Sequence, residues 1–454
     1  MKNVNRYKVF KTLFFLILAI ICIGYMNIFV DDSIYLVLSF LLFNIVLSFF
    51  SKEISQSIPV IILKITGTIR YIILPILMRI EGKYYDFSTE INWIMIFELI
   101  GILIGISIFY IRQRRNSFEF CKDRVGKINS LKFGLSILLV LGAGSLLILK
   151  DKSVALNFLN FSSNKLLILN ENGAISLILS TFFFIMFVFL LDVVKNKFNI
   201  PEPFKVIISI TFCLVFINGM SITGDNVSRW TIIITAIISY TFMSNLYPNY
   251  RKKLLVFLIF GIIITLVITT LMKFGSESYK KSDTLKEQIS YEALNAYFSG
   301  TYNMQIGLDL INDINNSNLS RTKIFFSDFF GNLPLLNKYL SDSNYQTSTL
   351  FNYQIYHSSV ARDQIIPLSI QLYIFFNIFF VFFEALIVYL SLYFYFKAKE
   401  DKEFIDIYCD LYLSFFLSLV FCINFSIIMQ VVWINVLPLW MIKYFNLKIS
   451  KKRS

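Results

Sequence analysis

Long apolar runs separated by short polar stretches set the frame of this chain. A helix needs about 20 mainly apolar residues to cross a bilayer, and twelve runs of about that length can be drawn. They fall near 9–30, 33–50, 58–80, 91–111, 131–149, 173–194, 205–221, 229–246, 253–272, 368–396, 406–425 and 428–443. The last two form one apolar stretch too long for a single span, so a turn is expected near Asn424 to Ser426. Between the ninth and tenth runs lies a polar segment, Lys273 to Pro367. There Leu285, Ile289, Leu294 and Tyr297 recur at helical spacing, which predicts an amphipathic helix over Ser282 to Phe298 with Gly300 as its stop. Two further helices are expected over Tyr302 to Ile314 and Arg321 to Phe330, broken by the polar run from Asn315 and by Gly331 to Pro334. In the last of these Phe325, Phe326, Phe329 and Phe330 are expected to face lipid or the bundle.

The pattern predicts an all-α polytopic membrane protein of about twelve transmembrane helices with one large, partly helical extracytoplasmic loop. Its regions are an N-terminal bundle over 1–272, the loop over 273–367, and C-terminal spans with a basic tail over 368–454. Lys2, Arg6, Lys8 and Lys11 precede the first apolar run, but no small-residue cleavage pattern follows it, so an uncleaved span is expected.

Composition agrees. The chain of 454 residues is 56% apolar, 17% aromatic and only 16% charged, which excludes an ordinary soluble domain. A net charge of +13 raises the question of nucleic acid, yet the basic residues fall between apolar runs and form no stripe interleaved with aromatics. Membrane orientation accounts for them better. Segments such as Arg112 to Lys127, Arg251 to Lys253 and Lys443 to Arg453 carry the excess, which predicts cytoplasmic termini, an inner-membrane location and the 273–367 loop outside. The cysteines, Cys22, Cys121, Cys213, Cys409 and Cys422, include no CxxC pair, and there is a single histidine, so neither a disulfide framework nor a zinc site is expected.

Chemistry-bearing residues are few. Arg229 follows the short loop holding Asp225 at the mouth of the eighth run. A guanidinium there suits a phosphate oxygen pair, or serves as an interfacial anchor beside Trp230. Arg70 lies mid-span ahead of Pro75, where an ionisable side chain marks a functional site or pairs with Glu98 of the next run. Lys64 and Glu384, at comparable depth, form a second candidate pair. In the loop, Arg321 and Arg362 are candidate anion ligands. Arg362 is tied through Asp363 and Pro367 to the tenth run. His357 is a candidate general base, with Asp225, Glu292, Asp328 and Asp363 as rivals. Tyr291, Tyr297, Phe298, Tyr302, Tyr345, Tyr353 and Tyr356 offer flat faces for sugar rings, or form loop core. Asp309 and Asp313, one helical turn apart, read as a solvated face rather than a metal pair.

This layout resembles the Wzy-type polymerases of O-antigen or capsular oligosaccharide repeat units. The resemblance rests on the many spans, a large late extracytoplasmic loop, Arg229 just before a span, and the Tyr297-Phe298-Ser299-Gly300 element. The Arg70-Tyr71 to Pro75 segment and the run from Asp363 to Pro367 are also similar. It departs from members with arginine-to-glycine spacings in two outer loops, since Arg321 to Gly331 matches only approximately and Arg229 has no glycine close behind it. The resemblance implies transfer of a growing glycan from undecaprenyl pyrophosphate to a hydroxyl of the next lipid-linked unit. Arg229, with Arg362 or Arg70, would stabilise pyrophosphate charge, and His357 or a carboxylate would accept the hydroxyl proton. Asp225, Tyr297, Arg321 and Asp363 would contact substrate. No cofactor or metal is expected. A lipid-linked oligosaccharide, the bilayer, a flippase and a chain-length regulator are the expected partners. The rival readings are a flippase of lipid-linked oligosaccharides, a glycan ligase and a membrane O-acyltransferase. The chain shows no internal repeat to favour the first, and its one histidine lies in the loop rather than within a span, against the last.

Overall fold

The computed structural model describes residues 32–81, 88–115, 173–222, 229–257, 259–261, 291–317, 319–333, 336–357, 364–401 and 403–444. Every regular element among them is helical. In chain order these include α1 (Asp32–Ser48), α2 (Ile58–Ile80), α3 (Thr89–Arg115), α4 (Gly173–Asn196), α5 (Glu202–Ile222) and α6 (Arg229–Leu246). The late polar segment contributes α7 (Tyr291–Phe298), α8 (Thr301–Asn316), α9 (Arg321–Phe330) and α10 (Thr347–Tyr356). The chain then forms α11 (Leu368–Phe376), α12 (Phe380–Ala398), α13 (Phe404–Leu417) and α14 (Phe425–Tyr444).

Four described helices are long and apolar enough to cross a membrane: α2, α3, the α11–α12 run Leu368–Ala398, and α14. The chain is therefore a helical membrane protein. The expected spans at 9–30 and 131–149, and most of that at 253–272, lie outside the described residues.

At the centre of the bundle α12 lies between α3 and α13 and packs on both. Glycines set the α3–α12 approach: a Cβ on Gly101 would stand 2.9 Å from the Val381 carbonyl, and one on Gly105 would strike the Ala385 carbonyl. Small residues that let backbones meet are the usual means of close helix packing in lipid, where burial from water supplies little drive.

Two expectations need correction. The eleventh run does not continue to 425. Helix α13 stops at Leu417 after 14 residues, and Ser418 to Asn424 is irregular and buried throughout. Irregular backbone at such depth is tolerated only where protein satisfies it, and it does so here. The Gln371 Oε1 accepts the Phe425 N–H at 2.6 Å, and Asn424 caps α14 by accepting the Ile427 N–H at 2.9 Å. The turn thus comes several residues before the place expected. The tenth run is also interrupted, by a 3-10 turn over Asn377–Phe379 that begins at a left-handed Asn377 (φ 52°).

The loop helices α8 and α9 match expectation closely, and the helix expected from Ser282 is described from Tyr291 onward. They gather at one end of the bundle. The Tyr291 N–H donates to Glu81 at the end of α2 (2.9 Å), and the Ser88 N–H donates to Gln305 of α8 at the start of α3 (3.1 Å). Phe325 and Phe329 turn inward against Phe375, Phe425 and Trp433, whereas Phe326 is exposed. At the opposite end sit charge pairs: Lys397 with Asp410 at 2.8 Å, Lys443 with Asp406 and Glu403, and Lys195 with Glu202.

Candidate functional site

Arg70 stands where α2 changes its winding. Ile69–Ile73 forms a π turn in which the Leu74 N–H reaches back five residues to the Ile69 carbonyl. Pro75, which follows, has no N–H to give to the Tyr71 carbonyl, so the ordinary ladder fails at this point and a wider turn relieves it. The result is that consecutive residues Arg70 and Tyr71 are both buried and both reach Glu98 of α3.

The Arg70 Nη2 lies 3.0 Å from Glu98 Oε2, with both side chains fully shielded. The Tyr71 hydroxyl lies 2.5 Å from the same oxygen and 2.9 Å from the Met95 carbonyl, so two acceptors compete for its one proton. The Tyr71 ring is held between Phe40, stacked at 5.4 Å, and Phe421, edge-on at 5.7 Å. The guanidinium stacks on Phe421 at 5.5 Å. It also meets the loop. Nη1 lies 3.5 Å from the Phe298 carbonyl and Nη2 lies 3.3 Å from Met304 Sδ. Glu384 of α12 is buried against Glu98, and neither of its oxygens receives a hydrogen bond from another donor group among the described residues. The expected Lys64–Glu384 pair does not form: Lys64 Nζ turns to the Ser55 carbonyl at 3.4 Å, while Glu384 joins the Arg70 cluster.

The turn over this cluster is the Tyr297-Phe298-Ser299-Gly300 element. Ser299 adopts a left-handed conformation (φ 50°) between α7 and α8. Gly300 leaves no room for a side chain, since a Cβ would lie 2.6 Å from Asn295 Oδ1 and 2.7 Å from Leu74 Cδ1. A buried Asn295 Nδ2 to Asn303 Oδ1 bond at 2.7 Å clamps the two helices beneath it. Tyr297 is half-buried on this turn. Trp230, next to Arg229, meets Phe298 edge-on at 6.0 Å, which brings the start of α6 to the same turn.

A second buried network fastens the loop to the bundle. Asp328 of α9 accepts from Thr347 Oγ1 (2.6 Å), the Thr347 N–H (3.1 Å) and Gln371 Nε2 (2.7 Å). Burial pushes the Asp328 carboxyl up to about 6, against the lowering effect of these donors.

The other sequence candidates fall elsewhere. Arg229 is the first residue of α6, and Asp225, Arg362 and Asp363 lie outside the described residues. Gln364, just beyond, is bound to Asn352 of α10 in both directions, at 3.0 and 3.1 Å. His357 is exposed at the end of α10 in a left-handed conformation (φ 49°), edge-on to Tyr353 at 6.3 Å. Arg321 donates to Asn315 at 2.8 Å. Neither belongs to the Arg70 cluster. Asp309 and Asp313 are exposed and bonded to Gln305 and Gln354, in keeping with a solvated face. Met304, Gln371 and Phe421 were not foreseen. The signal for Gln371 was an amide inside an apolar run, but Met304 and Phe421 carry none.

No family model matches the chain, and no curated protein or solved structure matches it.

Proposed function

We propose that this protein is a polymerase of lipid-linked oligosaccharide repeat units, with the late polar segment outside the inner membrane and both termini in the cytoplasm. The observation that carries this reading is the turn at Tyr297 to Gly300, which lowers a loop carbonyl onto Arg70 inside the spans. The loop is thereby part of the bundle, as an enzyme that works on a polar glycan at the membrane surface requires.

In this reaction the attacking sugar hydroxyl forms a bond to the anomeric carbon of the donor glycan. The bond to pyrophosphate breaks, and pyrophosphate leaves with the electron pair. The hydroxyl proton goes to a base, for which His357 and the carboxylates Asp363 and Glu292 are the candidates. Arg229 and Arg362 neutralise the leaving group, because a guanidinium grips phosphate oxygens in pairs and keeps its charge. Arg70, already committed to Glu98, acts from below by holding the turn that carries Tyr297. Asp225, Arg321 and Asp363 complete the polar surface. A chain-length regulator and a flippase are its proposed partners, and no cofactor is needed because the leaving group is already activated.

The purified full chain supplied with lipid-linked repeat units should give products longer than the input. Arg229→Ala should abolish long chains in cells while leaving single units on their acceptor. An unchanged ladder would remove Arg229 from the mechanism, and input returned unextended by active wild type would remove the polymerase reading.

A second reading, a carrier of such lipids, draws on the irregular Ser418 to Asn424 segment between α13 and α14, since broken helices often line transported substrates. Movement of labelled lipid across proteoliposomes without elongation would select it.

A further inference from the structure

Charge counting around Arg70 leaves a remainder. Two carboxyls, Glu98 and Glu384, are wholly shielded from solvent and lie against each other, and one guanidinium faces them. If both were ionised, one negative charge would stay uncompensated in the interior, where an unpaired ion is costly and two like charges in contact cannot both persist. The hydrogen bonding shows the same deficit. Both oxygens of Glu384 lack a donor group among the described residues, whereas Glu98 Oε2 receives both Arg70 and Tyr71. Among the described residues, the other titratable groups facing the pair are Tyr71 of α2 and Cys422 of the irregular segment, and neither supplies a positive charge. Ser369 of α11 and Met304 of α8 complete the surroundings.

We propose that Glu98 and Glu384 form a proton-binding site inside the membrane bundle, holding one exchangeable proton between them opposite Arg70. The proton supplies the missing donor and brings the cluster to neutrality. Uptake of a second proton would discharge Glu98 and release Arg70 from its ion pair, so the site links proton binding to the grip of α2 on the loop turn at Phe298. This inference does not depend on the repeat-unit reading, because it concerns the cluster's charge and not the substrate.

The test is infrared spectroscopy of the detergent-purified full chain at mildly alkaline pH, where Asp328 is ionised. A protonated carboxyl absorbs apart from an ionised one. In wild-type-minus-variant difference spectra, Glu384→Gln and Glu98→Gln should each remove the same protonated-carboxyl component, whereas any signal from the buried Asp410 is common to all and cancels. If the Gln variants fail to express, Glu384→Asp should shift the band, because it keeps the acid but changes its surroundings. Absence of the band in wild type, or a band unmoved by any of these changes, would overturn the proposal. So would a band seen only when sodium is replaced by choline, which would make the resident ligand a metal cation.

Discussion

At the scale of single residues, Arg70 and Glu98 illustrate how little a buried ion pair reveals until one partner is removed. Taking two ions out of water costs nearly what their attraction returns, but removing one leaves the other stranded. Arg70→Met should therefore lower stability by about 3–5 kcal/mol. The pair Arg70→Met/Glu98→Gln should recover more than half of that, and thermal unfolding in detergent reads both. Asp328 gives a pH signature. Burial moves its carboxyl from the ordinary 3.8 to about 6, so folding favours the protonated form. Its contribution to stability is complete below about 3.8 and is lost as pH rises through about 6. At about 1.4 kcal/mol per pH unit, the loss is about 3 kcal/mol. The stability of wild type relative to Asp328→Asn should fall across this window and stay level above it. Denaturant melts at several pH values measure this, and a constant difference would contradict it.

At the scale of elements, the α3–α12 contact depends on glycines rather than on interlocking side chains. Gly105→Val should cost about 1–3 kcal/mol, since the atom in the way is the Ala385 backbone carbonyl, which cannot swing aside. Ile108→Val, at an exposed position of the same helix, should cost little, and the two melting temperatures compared side by side test the point. How far these elements could be read beforehand follows from what sets them. Helix α2 was legible because its apolar run has the length of a span and polar residues bound it on both sides. The pairing of Arg70 with Glu98 was legible because opposite charges in successive spans lie at matching depth. Lys64 and Glu384 misled for the same reason: depth says nothing about which side of a helix a residue occupies. The end of α13 was invisible, because a buried irregular segment is as apolar as a span. The π turn that aims both Arg70 and Tyr71 inward could not be deduced from Pro75 alone, since proline also kinks helices in other ways.

At the scale of the whole molecule, one end of the bundle carries the loop helices and the other the lysine–carboxylate pairs. With the basic end in the cytoplasm, a cysteine at the exposed Tyr339 should react with an impermeant maleimide on intact cells. One at Glu53, in the polar stretch before α2, should react only after permeabilisation. The reverse pattern would invert the topology and place the glycan chemistry on the wrong side of the membrane.

The shortness of α13 bears on biogenesis. At about 1.5 Å per residue its 14 residues reach about 21 Å, less than the roughly 30 Å of hydrocarbon, so the rest of the crossing falls to the irregular, buried Ser418 to Asn424. Residues 404–444 therefore form a hairpin whose bend is buried within protein. The amide of Gln371, synthesised earlier, is already waiting to receive the bare Phe425 N–H when that hairpin arrives.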